Sequence, residues 1–415
     1  MTRSSIGREM SFGANSICRS TTPSLMGVAV FVLLLSAGEA IGLEPSGGLL
    51  VPHFMMVAIS PKGNGRGNVF VVNRGDGDKI VKEFNVGTKD NLGDKLKLVG
   101  FGLTNFAEIR PLLRQYDDNV LIELPGNQRL WILKHKGEDF GDNDFQLELD
   151  RKNLTKTFAD EFDTFSWYAE GTLDGRRGGG TWRTNLPHGP PTSLQSRIID
   201  GSQELQIYVE PSFRGRGNKP LGIDPFSIRN GILEIAADRA PEEIKPLLWD
   251  REYTSGVITT MGTFSQLYGV FEMRARLPKG RGLWPAFWLV PANAAWPPEL
   301  DIMEVLGHDT TTLYTTWHSA ETGTHTTETF VTRVPDLSTD FHTYAIDWEK
   351  DEIKWYFDGV EVAHKATPAD MHVAMQIRAN LAVGGWSGNP DASTRFPAVF
   401  TIDWIRAYQR RQNNS

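Results

Sequence analysis

Residues 299–304 read Glu-Leu-Asp-Ile-Met-Glu and place three carboxylates within six positions of the chain. Because side chains alternate between the two faces of an extended strand, Glu299 and Asp301 share a face. Strict alternation would turn Glu304 to the opposite face. A β-bulge at Ile302–Met303 absorbs one residue and returns Glu304 to the face of the other two. The stretch therefore predicts a bulged strand that carries all three acidic side chains on one face.

The spacing of the two glutamates sets what they can do together. They would lie about four strand steps apart, roughly 13 Å between Cα atoms. Long side chains that lean toward each other can bring the carboxyl groups to about 5–5.5 Å, the separation used by retaining glycosidases. The alternative is a solvated acidic strand face. Acidic residues are depleted in strands and repel one another there, which favours a chemical use.

The composition describes a folded globular protein. Charged residues make up 23% and hydrophobic residues 40% of the 415 residues, a length sufficient for two or three domains. The net charge is −8 and no Lys/Arg cluster occurs, so nucleic acid is not expected as a partner. Short alternating runs between turn signals predict an all-β chain.

The N-terminus resembles an export signal. Basic residues precede an apolar run of 13 residues, Leu25–Ala37, which is too short to span a bilayer. We predict a signal peptide over 1–40, a linker over 41–62 and a secreted, extracellular protein that has no membrane contact after cleavage. An uncleaved leader that holds the protein at the cell surface is the alternative. The single cysteine, Cys18, lies in the leader, so the mature protein would have no disulfide.

Residues 63–150 differ in composition from the residues after 150, since they contain one of the 12 tryptophans. The Gly-, Asn- and Asp-rich segment 63–87 resembles a degenerate fragment of the nonapeptide calcium β-roll and the module that trails such repeats. The repeat consensus is not intact, so calcium binding is not expected there. We predict a small β module, and its role as a spacer or in carbohydrate binding stays open.

Residues 154–410 form the second predicted unit, which we expect to fold and act without the first. Alternating apolar runs predict strands throughout it, and Asp358-Gly359 predicts a tight hairpin turn. Two antiparallel sheets packed face to face are the natural arrangement for such a pattern.

The second unit resembles glycoside hydrolase family 16, of the bacterial endo-β-glucanase or exopolysaccharide endoglycanase type. The resemblance rests on the Glu-x-Asp-x-x-Glu motif and on supporting blocks that occur in order at 158–163, 268–278, 282–288, 341–348, 380–385 and 400–408. It implies a concanavalin A-like jelly-roll β-sandwich and a retaining mechanism. It also implies that Glu299 is the nucleophile, that Glu304 is the acid/base, and that Asp301 assists between them.

Aromatic side chains near the motif are the candidate sugar contacts. Indole rings pack against the apolar C–H faces of sugar rings. Trp284 and Trp288 are four residues apart and project to one side of a strand, and Trp386 follows a Gly-Gly turn. The resemblance adds His318, which matches a family histidine near the cleft. A buried core position is the alternative for each of these residues.

The resemblance also implies a structural calcium far from the chemistry. Glu161 and Asp403 match the positions of the family site, and oxygen ligands suit calcium. Salt-bridged or solvated carboxylates are the alternative. No cofactor is expected for catalysis, and we expect a monomer whose partner is a polysaccharide.

The predicted function is a secreted retaining endo-β-glycosidase that hydrolyses β-1,3 or β-1,4 glucan or a β-glucose-rich exopolysaccharide. A non-catalytic β-glucan-binding protein is one alternative, although such relatives typically lose motif carboxylates. A transglycosylase with the same covalent intermediate is the other. The sequence does not separate hydrolysis from transfer.

Overall fold

The computed structural model describes residues 67–87, 93–168, 180–199 and 201–411. The predicted signal peptide and linker lie outside these ranges. Within them, regular structure is almost entirely strand, with one α-helix of four residues at Phe106–Ile109. None of the helices in these ranges is long and apolar enough to cross a membrane. The prediction of an all-β chain is confirmed.

The N-terminal β module has its own sheets and its own core. Its strands are β1 Val69–Asn73, β2 Lys79–Val81, β3 Lys95–Val99, β4 Leu113–Tyr116, β5 Asn119–Leu124, β6 Gln128–Ile132 and β7 Phe145–Gln146. Strands β1, β3 and β7 pair in parallel, and β2, β6, β5 and β4 form a second sheet. Alternate residues of β1 and β3 point into a shared apolar core, which explains their period-2 burial.

The second unit contains the remaining strands. They are β8 Leu154–Asp160, β9 Gln206–Tyr208, β10 Phe226–Ile228, β11 Leu233–Arg239, β12 Tyr253–Ser255, β13 Val257–Thr259, β14 Gly269–Arg276, β15 Leu283–Pro291, β16 Glu299–Glu304, β17 Thr312–Ser319, β18 Thr326–Arg333, β19 His342–Trp348, β20 Glu352–Phe357, β21 Val360–Ala366, β22 Met375–Val383 and β23 Ala398–Arg410. The predicted hairpin is confirmed, since Asp358 and Gly359 adopt positive φ between β20 and β21.

Two sheets pack around one large core in this unit. The first has ten strands, in the order β21-β20-β19-β14-β23-β11-β12-β9 with β10 on β11 and β8 on β23. The second has six strands, in the order β13-β22-β15-β16-β17-β18. Apolar side chains from both sheets, such as Phe271 and Phe287, are fully buried together. The predicted sandwich is confirmed, and the acidic strand β16 lies in the interior of the six-stranded sheet.

The module is joined to the sandwich through backbone hydrogen bonds at the edge strand β21. The amide of Leu149 donates to the carbonyl of Gly359 at 2.8 Å, and the amide of Glu361 donates to the carbonyl of Leu147 at 2.8 Å. The segment after β7 therefore covers part of the free edge of the ten-stranded sheet.

Candidate active site

The predicted bulge is present in strand β16. In the pairing with β17, Asp301 lies opposite Thr316 and Glu304 lies opposite Tyr314. Strand β16 therefore has one more residue than β17 over this interval. Ile302 and Met303 both point into the core. The bulge therefore returns Glu304 to the outer face of the sheet.

A core tryptophan supports the bulge from the opposite sheet. The indole of Trp355 donates to the backbone carbonyl of Asp301 at 3.0 Å. Trp355 itself is fully buried in β20. A backbone acceptor at the start of the bulge thus has a fixed partner, which holds the strand in its irregular conformation.

Glu299, Asp301 and His318 form a compact charged group. His318 lies opposite Glu299 in the β16–β17 pair. Its Nε2 is 3.3 Å from Oδ2 of Asp301 and 3.7 Å from Oε1 of Glu299. The other oxygen of Glu299 accepts a hydrogen bond from the indole of Trp296 at 3.0 Å. Both oxygens of Glu299 are therefore oriented by neighbouring side chains.

Glu304 is held separately by two donors. The indole of Trp284 donates to Oε1 at 3.1 Å, and the hydroxyl of Thr316 donates to Oε2 at 3.3 Å. The side chain is only 8% exposed. Both oxygens are thus fixed in direction on the outer face.

Burial raises the pKa of all three carboxyl groups. For Glu299 the negative charge of Asp301 adds to the effect of burial, whereas His318 and Arg378 oppose it. For Glu304 the charge of Asp301 also adds, and the hydrogen bond from Trp284 opposes. The pKa values of Asp301 and Glu304 are raised to about 8, so the group can hold a proton that the reaction requires.

Two of the predicted sugar contacts lie at an accessible aromatic surface. Trp386 is 46% exposed, and its ring lies 5.9 Å from the ring of Trp284 and 4.8 Å from that of Tyr314. Trp284, which donates to Glu304, is half-buried. An exposed indole thus lies beside the tryptophan that holds one of the carboxylates.

Trp288 shares the outer face but is covered. Its side chain is 7% exposed and belongs to an apolar cluster against which Ile199 packs, while the guanidinium of Arg378 lies 4.7 Å from its ring centroid. Its indole donates to Asn380 at 2.8 Å. The indole therefore lies beneath its neighbours, and its contact with substrate stays a prediction.

Several site residues escaped sequence reasoning. Trp296, which is 55% exposed, lies three residues before Glu299. Arg378 and Asn380 alternate with core residues in β22, and this stripe of polar residues inside a buried strand is a signal that could have found them. His325, which contacts His318, follows a hairpin loop, and nothing in its sequence context marks it.

The predicted calcium ligands are each engaged by an arginine. Glu161 accepts two hydrogen bonds from Arg406, at 2.8 and 2.6 Å, and Asp403 pairs with Arg274. Arg406 thus engages both oxygens of Glu161, whereas Asp403 pairs through Oδ2, and the calcium site stays a prediction from the resemblance.

Among the described residues, one group of side chains could hold a metal ion. It consists of Glu299, Asp301 and His318, whose possible metal-ligand atoms all lie within 4.8 Å of one another. Arg378 opposes the effect that the charge of Asp301 has on Glu299 within this group.

Comparisons with known proteins agree with this geometry. The family model for Glycosyl hydrolases family 16 matches residues 224–406. Endo-1,3-1,4-beta-glycanase ExsH of Rhizobium meliloti (strain 1021) is 37% identical over 333 residues, which cover 80% of this chain and 67% of that protein. Endo-1,3-1,4-beta-glycanase EglC of the same organism is 36% identical over 339 residues, which cover 82% and 68%.

A solved structure extends the likeness to the fold. SCLam, a non-specific endo-beta-1,3(4)-glucanase from family GH16, superposes with a TM-score of 0.52 at 26% identity, covering 64% of this chain and 95% of that one. The similarity thus includes the sandwich, the acidic strand and most of the chain. The protein belongs to glycosyl hydrolases family 16.

Proposed function

We propose that this family 16 protein is a retaining endo-β-glycosidase that hydrolyses β-1,3 or β-1,4 glucan or a β-glucose-rich exopolysaccharide. The observation that carries the proposal is the bulge, which places Glu304 on the same face as Glu299 with its oxygens fixed by Trp284 and Thr316. The relatives named as glycanases of 1,3-1,4-β-linked polymers support the substrate class.

In this proposal Glu299 is the nucleophile. A nucleophile must be ionised, yet burial raises the pKa of Glu299. A proton held by Asp301 resolves this conflict, because a protonated Asp301 beside Glu299 no longer repels its charge and can hydrogen-bond it. Arg378 and His318 supply further positive potential.

Glu304 is the proposed acid/base. Its raised pKa keeps a proton available until the leaving oxygen requires it. After the glycosyl-enzyme forms on Glu299, the same group takes a proton from the attacking water. The exposed indole of Trp386 would then support a sugar ring beside it.

A panel of polymers tests the substrate class. The protein is incubated with laminarin, lichenan, xyloglucan, agarose and a succinoglycan-type polymer, and the products are sized. Rapid loss of polymer length on a β-glucan supports endo-acting hydrolysis. Products longer than the starting oligosaccharides would indicate transglycosylation, and binding without any cleavage would indicate a glucan-binding protein.

Azide rescue tests the two roles. Glu299→Ala should abolish hydrolysis and leave room for azide, which should then form an α-glycosyl azide from an activated β-glycoside. Glu304→Ala should form the β-glycosyl azide instead. The proposed roles would be wrong if the Glu299→Ala product were β, or if the wild-type protein inverted the anomeric centre.

We also propose that residues 1–40 direct export. Recovery of the protein in the culture medium with a new N-terminus near residue 41 supports the proposal. Retention of the full leader in a membrane fraction would favour the surface-anchored alternative.

A further inference from the structure

His325 lies against the carboxylate site without touching a carboxylate. It is the exposed last residue of the loop between β17 and β18. Its Nε2 is 3.0 Å from Nδ1 of His318. The two ring centroids are 5.2 Å apart and the planes differ by 16°. This geometry fits two nearly coplanar rings joined edge to edge by an N–H···N hydrogen bond, and we call His318 and His325 the histidine pair.

The loop that carries His325 is anchored at its base. The carboxylate of Asp370 accepts hydrogen bonds from the hydroxyl of Ser319 at 2.7 Å and from the amide of Ala320 at 2.6 Å. The amide of Ala369 donates to Glu321 at 2.7 Å. These bonds hold the first residues of the loop, and Thr326 pairs with Ser319 at its other end, so His325 has a defined position beside His318.

His318 lies between the carboxylates and His325. Its Nε2 is 3.3 Å from Oδ2 of Asp301 and 3.7 Å from Oε1 of Glu299. Its Nδ1 faces Nε2 of His325 at 3.0 Å. A hydrogen bond between the two rings therefore fixes the direction in which Nε2 of His318 faces the carboxylates.

Trp296 closes the arrangement. Its ring lies 4.9 Å from that of His325 and 6.0 Å from that of His318. The same indole donates to Glu299 at 3.0 Å. His325 therefore contacts both side chains that lie against Glu299. It contacts His318 through a hydrogen bond and Trp296 through ring packing.

We propose that His325 is a positioning residue for the reaction, which holds the ring of His318 by a hydrogen bond and thereby fixes the group formed by Glu299, Asp301 and His318. The proposal rests on the proposed function. The N···N contact accommodates one hydrogen, so it forms when one ring donates and the other accepts.

Other charged groups act on the same site and must stay unchanged in any test. Arg378, from β22, acts on Glu299. The charge of His318 acts to lower the pKa of Glu304. Asp370 faces the base of the loop. None of the three is altered by a substitution at His325, so a changed kcat reports on the pair.

Two variants and one control test the proposal. His325→Ala removes the hydrogen-bond partner of His318, whereas His325→Gln retains an N–H group at a similar distance. His372→Ala removes another exposed histidine, which contacts Tyr268. We expect His325→Ala to lower kcat by about 5- to 30-fold with KM changed less than about twofold, as for a lost hydrogen bond. His325→Gln should recover most of kcat, and the control should match the wild type.

The split between kcat and KM, together with the rescue by Gln, gives a readout that a merely structural role would not move. An unchanged kcat in His325→Ala would overturn the proposal, as would a Gln variant as impaired as the Ala variant.

Nitrogen NMR separates this proposal from the proposed function. In protein with ¹⁵N-labelled histidines, we expect a scalar coupling across the hydrogen bond between Nδ1 of His318 and Nε2 of His325, with the resonances assigned through His318→Gln. No coupling in the wild type would overturn the positioning role even if glucan were cleaved. A wild-type protein inactive on every polymer would overturn the proposed function, while the coupling would still decide whether His325 holds His318.

Discussion

Glu204 is a buried acid outside the proposed reaction. Its side chain accepts hydrogen bonds from Gln206 and Tyr208, and Asn380 donates to the hydroxyl of Tyr208 at 3.0 Å. Asn380 also accepts from the indole of Trp288. Hydrogen bonds between side chains therefore connect Glu204 to Trp288 through Tyr208 and Asn380. Burial raises the pKa of Glu204 to about 7, against the effect of the hydrogen bond from Gln206.

We predict that Glu204→Gln removes a pH-dependent loss of stability. The unfolded chain ionises near the ordinary value of about 4.3, whereas the folded chain resists ionisation until about 7. The wild type therefore loses stability as the pH rises through this window, and Gln cannot ionise. Relative to wild type, the variant should gain roughly 2–4 kcal/mol between pH 4.5 and 7.5. Urea unfolding at several pH values measures the free energy of unfolding of both proteins. A difference between them that does not change with pH would contradict the prediction.

A second residue-level prediction separates Trp386 from Trp288. Trp386→Ala removes an exposed ring, so KM for glucan should rise about 5- to 50-fold, with the melting temperature nearly unchanged. Trp288→Phe removes the buried donor to Asn380 and should cost about 1–3 kcal/mol of stability. Kinetics and thermal unfolding of both variants provide the check. A Trp386→Ala variant with wild-type KM would remove Trp386 from the sugar-binding surface.

At the scale of single residues, the sequence predicted features that depend on one strand, such as the bulge. It did not predict contacts between residues of different strands. The bulge follows from the spacing of Glu299, Asp301 and Glu304, and it is confirmed. Alternation correctly placed Trp288 on the outer face. Its covering by Arg378 and Ile199 was not predicted, because those residues come from other parts of the chain.

Among the elements, the Gly384-Gly385 turn after β22 packs directly on the site. Gly385 has φ of 57°, and a Cβ there would lie 2.9 Å from the ring of Trp284 and 2.9 Å from the carbonyl of Ser202. Trp284 in turn donates to Glu304. The turn therefore has no room for a side chain unless the indole that holds Glu304 shifts.

We predict that Gly385→Ala impairs activity more than stability. The positive φ costs roughly 1–2 kcal/mol for alanine, and the collision adds a displacement of Trp284. We expect kcat to fall at least about tenfold, since a group that orients the acid/base is misplaced. Gly359→Ala is the matched control, because its φ is 75° and nothing lies within 4 Å of its added Cβ. Equal activity loss in both variants would contradict the prediction.

The strands themselves were largely predictable. Alternating runs around Tyr344, Trp355 and Ile405 indicated β19, β20 and β23, because each has one face in the core. The Asp358-Gly359 turn was equally clear. The parallel pairing of β1, β3 and β7 was not, since parallel partners are set by contacts distant in sequence.

Across the whole molecule, the segment that joins the module to the sandwich adds an ion pair to the backbone hydrogen bonds. Both terminal guanidinium nitrogens of Arg151 donate to Glu272 in β14, and the Glu272 side chain is 2% exposed. Sequence reasoning separated the two units at this point because no local pattern links residues 121 positions apart. A sandwich that begins at residue 154 therefore has a buried carboxylate without this cation.

We predict that the module stabilises the sandwich without contributing to its chemistry. The fragment 154–415 and the variant Arg151→Ala should both melt at lower temperature, because each leaves Glu272 unpaired. For Arg151→Ala, the loss should be about 2–4 kcal/mol, since its side chain is half exposed but its partner is buried. Arg114→Ala is the control, as it breaks an ion pair with Glu123 whose partners are both 47% exposed. Glucan turnover below the melting temperature should match the full chain, because the carboxylate group lies on the other sheet. A fragment that melts like the full chain would make the module a spacer.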